Sequence, residues 1–221
     1  INPGNAKRIY QDLAKDYSAS ETPTWALLLA ESCRSVGYNV AILDANAERL
    51  SNTEVVERIA ELNPRLVCFV VYGQNPNSGT VNMSGTVALA ADIKKFGIKA
   101  PISIVGSHVQ SLPYETLTNE KDIDIIFANE GVYALRNLLE KKDLHDIDQL
   151  VTVRGIGFRR HGEAFLTSPE KVVPQSRMDI DLPGYAWDLL PYKEKPLDLY
   201  RAPMWHADYI QEKRFPYAAL Y

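Results

Sequence analysis

The run Ile102-Ser103-Ile104-Val105-Gly106-Ser107-His108 constrains this chain most. A short apolar, β-branched stretch stops at a glycine and then at two polar side chains. A strand that is apolar on both faces has to be covered on both, which is the pattern of a buried parallel strand. Leu66-Val67-Cys68-Phe69-Val70-Val71-Tyr72 has the same character and ends at Gly73. Ile123-Asp124-Ile125-Ile126-Phe127 ends at Ala128-Asn129-Glu130-Gly131. In open α/β sheets ligands bind beyond the carboxyl ends of the strands, so each of these endings is part of a candidate site.

Helical patterns separate the runs. After Thr22-Pro23, the residues Trp25, Leu28, Leu29, Ser32, Cys33 and Val36 recur at three- and four-residue spacing, and Gly37 closes the helix. Asn39-Val40-Ala41-Ile42-Leu43-Asp44 reads as a short strand ending in an acid. Ser51-Asn52-Thr53-Glu54 is a capping box, opening a helix through Val55, Ile59 and Leu62 that stops at Asn63-Pro64. A loop Gly73–Gly79 leads into a helix from Thr80 to Phe96, closed by Gly97, and a further helix runs from Tyr133 to Lys141. Residues 4–21 are polar and irregular, with a short helix near Ile9–Ala14.

Strand and helix thus alternate at βαβ spacing to about residue 141. That predicts a doubly wound α/β domain (Rossmann/flavodoxin-like) over residues 1–150, with a parallel sheet of about five strands and right-handed crossovers. From residue 151 the character changes. Val151–Arg160 and Ala164–Leu166 read as a hairpin about His161-Gly162-Glu163, and residues 169–221 as a proline-rich linker with a helical turn at Tyr185–Leu190. Ile1-Asn2-Pro3 reads as the tail of a strand, and the last residues end on an apolar run with no stop signal, so both ends look cut from a longer parent.

Composition narrows the function. The 221 residues carry 24 Lys+Arg against 28 Asp+Glu, a net charge of -4, which argues against a nucleic-acid binder. No apolar run approaches the ~20 residues of a membrane span, and no signal peptide is visible. The two cysteines, Cys33 and Cys68, sit in apolar patterns and read as reduced core thiols, so a cytoplasmic protein is the default. The phosphate cradles G-x-G-x-x-G and G-x-x-x-x-G-K-[ST] are missing, as are H-E-x-x-H and G-x-S-x-G. No metal ligand set or catalytic residue stands out.

The strand-end loops remain: Asn2-Pro3-Gly4, Asp44-Ala45-Asn46, Gly73-Gln74-Asn75-Pro76-Asn77-Ser78-Gly79, Gly106-Ser107-His108-Val109 and Asn129-Glu130-Gly131. They are rich in Gly, Ser and Asn and poor in Lys and Arg. Such an edge suits a large, mostly uncharged, amide-bearing ligand better than a polyphosphate. Plainer readings stand beside this. Gly106 reads equally as a turn residue, His108 as a capped loop histidine, and Asp44 as an N-cap or exposed acid. Glu130 reads equally as an acid facing the N-terminus of the helix at Tyr133.

The order of these pieces resembles the N-terminal cobalamin-binding domain of B12-dependent radical SAM enzymes. That family's Asn-Pro-Pro strand end is matched by Asn2-Pro3-Gly4, and its Asp-Ala strand end by Asp44-Ala45. Its Gly-Gly-x-His-x-x-x-x-Pro loop is matched by Gly106-Ser107-His108 through Pro113, with Ser107 in place of a glycine. Its Gly-Glu-Gly-Glu loop is matched by Asn129-Glu130-Gly131-Val132, which lacks the first glycine and the last glutamate. Gly155-Ile156-Gly157-Phe158-Arg159 matches its hairpin, and Asp181-Leu182-Pro183 through Ala186-Trp187-Asp188-Leu189-Leu190 its linker.

The resemblance implies a cobalamin-binding domain whose parent, a methyltransferase, also uses a [4Fe–4S] cluster and S-adenosylmethionine in a following radical SAM domain. It implies that Asn2, Gly73, Gln74, Asn75, Asn77, Ser78, Gly79, Gly106, Ser107, His108, Val109, Asn129, Glu130 and Gly131 line the cofactor. D-x-H-x-x-G, the signature of a histidine lower ligand, is absent, so His108 is not expected to ligate cobalt. Two other readings are a cofactor-free flavodoxin-like module that contacts a radical SAM domain, and a small-molecule enzyme using His108 and Glu130 as an acid–base pair.

Overall fold

A computed structural model describes residues 1–4, 21–72, 76–191 and 200. The elements are α1 (Thr24–Arg34), α2 (Asn52–Leu62), β1 (Val67–Val71), α3 (Pro76–Phe96), β2 (Ile102–Gly106), α4 (Ser107–Ser111), α5 (Pro113–Asn119), β3 (Ile125–Phe127), α6 (Val132–Leu139), α7 (Ile147–Leu150), β4 (Ile156–Arg160) and β5 (Glu163–Leu166). Short helical turns follow at Gln175–Arg177, Met178–Asp181 and Trp187–Leu189.

The three apolar runs form a parallel ladder, β1 to β2 to β3. Ile102, Ile104, Val105, Ile126 and Phe127 are fully buried, as strands covered on both faces require. On the free side of β1 the chain start lies alongside: the Val70 N–H donates to the Ile1 carbonyl at 2.9 Å. Asn2 in turn bridges Asp44 in parallel. The lateral order of the parallel part is therefore the 44 segment, residues 1–2, β1, β2, β3, the flavodoxin-like arrangement. The predicted strand Asn39–Asp44 is reduced to that single bridge.

Two apolar layers sandwich the sheet. α2 and α3 bury Val55, Val56, Ile59, Met83, Leu89, Ala90 and Ile93 on one face, joined by Val109 and Leu117. α1 and α6 bury Ala26, Leu29, Cys33, Ala134, Leu135 and Leu138 on the other. The capping box is present in both directions, with Ser51 N–H donating to Glu54 Oε2 at 2.8 Å and Glu54 N–H to Ser51 Oγ at 3.3 Å. Gly37 and Gly97 end their helices at φ +94° and +97°.

Some boundaries move. α3 begins at Pro76 rather than Thr80, because proline is well suited to a first helical position, so four residues assigned to the loop are helical. α4 and α5 occupy a stretch read only as a loop; they are five and seven residues long, too short to show helical periodicity. The hairpin forms, but its first arm begins at Ile156 rather than Val151 and its second at Glu163; it turns at His161 and Gly162 with φ 54° and 86°, the paired positive values of a tight hairpin turn. It does not stand apart, since β4 pairs antiparallel with β3 and extends the same sheet. The expected helix near Ile9–Ala14 lies outside the described residues. Both cysteines are free thiols. Among the described residues no helix is long and apolar enough to cross a membrane.

Candidate functional site

The chain after Gly4 feeds α1 on one face of the sheet, and the chain after β1 feeds α3 on the other. Between residues 1–2 and β1 the strand order reverses, so the carboxyl edge at Asn2-Pro3-Gly4 and Tyr72 is the place where α/β sheets of this order bind ligands.

Asn2 stands at this edge. Its Nδ2 donates to Asp44 Oδ1 at 2.8 Å. Asp44 is 1% exposed, so it is not the exposed acid of one reading; it acts as a cap, though of the turn after it rather than of a helix, by accepting from the Ala47 N–H at 3.0 Å. Tyr200 donates to its other oxygen at 2.7 Å. Burial pushes the Asp44 carboxyl up to about 6, against the hydrogen bonds from Ala47, Tyr200 and Asn2, which favour the charged form. An acid raised in this way costs stability as it ionises. Wild-type stability is expected to fall as pH rises from about 4 to 6 and then level, by about 2–3 kcal/mol. Asp44→Asn should abolish that fall and be the more stable form at pH 8. A thermal melt series in pH checks it, and an unchanged slope in the variant would contradict it.

Gly106 ends β2 where it pairs with Val71. A Cβ there would lie 2.9 Å from the Val71 carbonyl carbon and nearer still to its oxygen, so a strand-packing demand fixes this glycine. Ser107 and His108, both half-buried, open α4 directly above the edge. Val109 is fully buried in the core, so only its backbone is placed to meet a ligand. Asn77, Ser78 and Gly79 fall in the first turn of α3. Gly73, Gln74 and Asn75 lie outside the described residues.

The loop Asn129-Glu130-Gly131 is braced from outside. Asn129 Oδ1 accepts from the Gly131 N–H at 3.0 Å, and Asn129 Nδ2 donates to the Glu170 carbonyl at 3.0 Å. Glu130 Oε1 accepts from the Val173 N–H at 2.6 Å, so this acid holds the linker rather than facing the N-terminus of α6.

Three side chains at this edge carry no distinguishing pattern in the sequence. Gln110 Nε2 donates to Tyr72 Oη at 2.6 Å and to the Asn129 carbonyl at 2.8 Å, so it spans from β1 to the loop after β3. Trp25 Nε1 donates to the Glu130 carbonyl at 3.0 Å. The Trp25 and Tyr72 rings meet edge-on with centroids 5.7 Å apart. Tyr72, Gln110, Asn129, Glu130 and Trp25 thus close a ring across the end of β2. Trp25 had been spent on the helical core pattern, and Gln110 is one position in a loop of unremarkable composition.

This geometry, a flavodoxin-like sheet whose named switch-point residues include no Lys or Arg, meets a family model. The B12 binding domain model matches residues 12–139, more than half of the chain. The chain belongs to that family. Its B12-binding domain resembles the anaerobic magnesium-protoporphyrin IX monomethyl ester cyclase of Synechocystis sp. (strain ATCC 27184 / PCC 6803 / Kazusa), at 25% identity over 173 residues, covering 78% of this chain and 32% of that protein. Among solved structures it is similar to the cobalamin-dependent S-adenosylmethionine radical enzyme OxsB with aqua-cobalamin and S-adenosylmethionine bound. That match has TM-score 0.60 and 16% identity, over 77% of this chain and 22% of OxsB. The radical S-adenosylmethionine methyltransferase TsrM from Kitasatospora setae, with cobalamin and a [4Fe-4S] cluster bound, matches at TM-score 0.52 and 18% identity, over 68% of this chain and 27% of TsrM. The domain therefore spans about a third of its curated relative and about a quarter of these enzymes.

Proposed function

We propose that this B12-binding domain holds cobalamin against the carboxyl edge of its sheet, within a cytoplasmic radical SAM parent that transfers a methyl group. The observation that carries the reading is the donor set at the switch point. Asn2, Tyr72, Ser107, Gln110 and Asn129 are all neutral hydrogen-bonding side chains, and none of the residues on this edge named above is a lysine or arginine. A corrin is ringed with carboxamides, so neutral donors and acceptors fit it where a cationic cradle would not.

The chain's own residues would divide the work. The carboxyl edge at Asn2-Pro3-Gly4 and Tyr72, together with Gly73, Gln74 and Asn75, would take the corrin face. Gly106-Ser107-His108 would lie beside the nucleotide tail. The ring through Gln110, Asn129 and Trp25 fixes the floor beneath, and the linker at Glu170–Val173 clamps that floor from outside. When bound, cobalamin supplies a carrier for a methyl group between S-adenosylmethionine and a substrate carbon. The linker over residues 151–221 would lead into the domain that binds the [4Fe–4S] cluster and S-adenosylmethionine.

The test is direct. The purified chain is mixed with hydroxocobalamin, desalted, and its visible spectrum recorded. About one equivalent of corrin should remain with the protein, and a colourless protein that also gives no calorimetric signal would overturn the reading.

A further inference from the structure

We propose that Tyr72 and Gln110 form a paired donor and acceptor that takes one primary carboxamide of the corrin periphery; this rests on the cobalamin reading above. A glutamine amide has two N–H donors and one acceptor oxygen. Both donors of Gln110 are spent, on Tyr72 Oη at 2.6 Å and on the Asn129 carbonyl at 2.8 Å. Its Oε1 is therefore left to accept, in an orientation that the two donated bonds fix. Tyr72 Oη already accepts from Gln110, so its own hydrogen has to point elsewhere. Among the described residues no acceptor is in place for it. Burial pushes the Tyr72 phenol up to about 12, which keeps that hydrogen on the oxygen at any physiological pH.

The edge thus presents one O–H donor beside one carbonyl acceptor. A primary carboxamide is the complement of that pair, since its oxygen accepts from Tyr72 while its N–H donates to Gln110. A carboxylate would be repelled by Oε1, and a phosphodiester offers it no donor. The pair stands at the end of β1 on the carboxyl edge, and the Trp25 ring packed edge-on against Tyr72 limits how far the phenol swings.

The experiment compares the whole chain with Tyr72→Phe in calorimetric titrations of hydroxocobalamin and of cobinamide, the same corrin without its nucleotide tail. Thermal melts confirm folding, and Gln110→Met serves as a second variant that removes the acceptor while keeping the length. Wild type should bind both ligands. Tyr72→Phe should weaken both by the same factor, about five- to tenfold, the size of one hydrogen bond. Gln110→Met should weaken both as well. Equal affinities for wild type and Tyr72→Phe would overturn the proposal. So would a loss confined to hydroxocobalamin, which would put the contact on the tail. A wild-type chain that binds neither ligand would instead overturn the cobalamin reading itself.

Discussion

Gly106→Ala is expected to destabilise the domain by about 3 kcal/mol. The added carbon would sit 2.9 Å from the Val71 carbonyl carbon. That neighbour is backbone in the paired strand, so it can yield only if β1 and β2 separate, and these two strands are held by five consecutive pairs. For a domain of this size the loss corresponds to roughly 6–12 °C in Tm. Gly97→Ala is the control. Its φ of +97° strains an alanine, but a Cβ there meets nothing within 4 Å, so only about 1 kcal/mol is expected. Calorimetric melts that rank the two variants equally would refute the steric account. Gly106→Ala should also disturb the ligand edge, because Ser107 and His108 follow directly from this residue.

The second large effect belongs to Asp181, which is 3% exposed and anchors the linker to both α1 and α6. Its carboxylate accepts from Arg177 Nε at 2.6 Å, Arg136 Nη1 at 3.0 Å and the Tyr133 hydroxyl. Arg136 also donates to the Ser32 carbonyl at 3.1 Å and to the Asp181 carbonyl at 2.9 Å, which joins the end of α1 to the linker. The Arg177 guanidinium, then Tyr133 and Arg136, hold the Asp181 carboxyl well below the usual carboxylate range. Asp181→Ala strands Arg136 without its counter-charge, at an expected cost of about 2–3 kcal/mol.

The sign of the pH effect follows from the depressed pKa. The folded chain favours the ionised form, so the stabilisation is complete above the ordinary carboxylate value, about 4. It shrinks as pH falls below that toward the folded value. Melts of wild type and Asp181→Asn should therefore be furthest apart at neutral pH and converge in acid, opposite in direction to the effect of Asp44. A gap that does not change between pH 7 and pH 2.5 would contradict the charge account.

What the sequence made legible was what it encodes locally. Continuous apolar runs located β1 and β2 to within a residue, Gly37 and Gly97 marked helix ends, and Ser51 with Glu54 marked a helix start. The edge of Gly, Ser and Asn residues was also visible, because carboxyl strand ends follow from strand assignments. Tertiary contacts were not. Nothing near Gln110 announces that it reaches Tyr72, 38 positions earlier, and Asn129, 19 positions later. Glu130 reads locally as an acid facing the N-terminus of the next helix, because its partner, the Val173 N–H, lies 43 residues on. The hairpin's place in the sheet depended on the pairing of Ile125 with Phe158, which no local pattern contains. Asp44 could be read as exposed because its burial depends on Asn2 and Tyr200, 42 positions before it and 156 after.

Cobalamin is proposed to sit at the carboxyl edge, at the switch point between Asn2 and Tyr72. Hydrogen–deuterium exchange of the chain with and without hydroxocobalamin tests it most directly. Protection is expected in peptides covering residues 1–4, 106–111 and 128–131, with no change at the opposite edge around 63–66 and 97–101. Retained cobalamin with protection confined to the opposite edge, or to the hairpin, would contradict it.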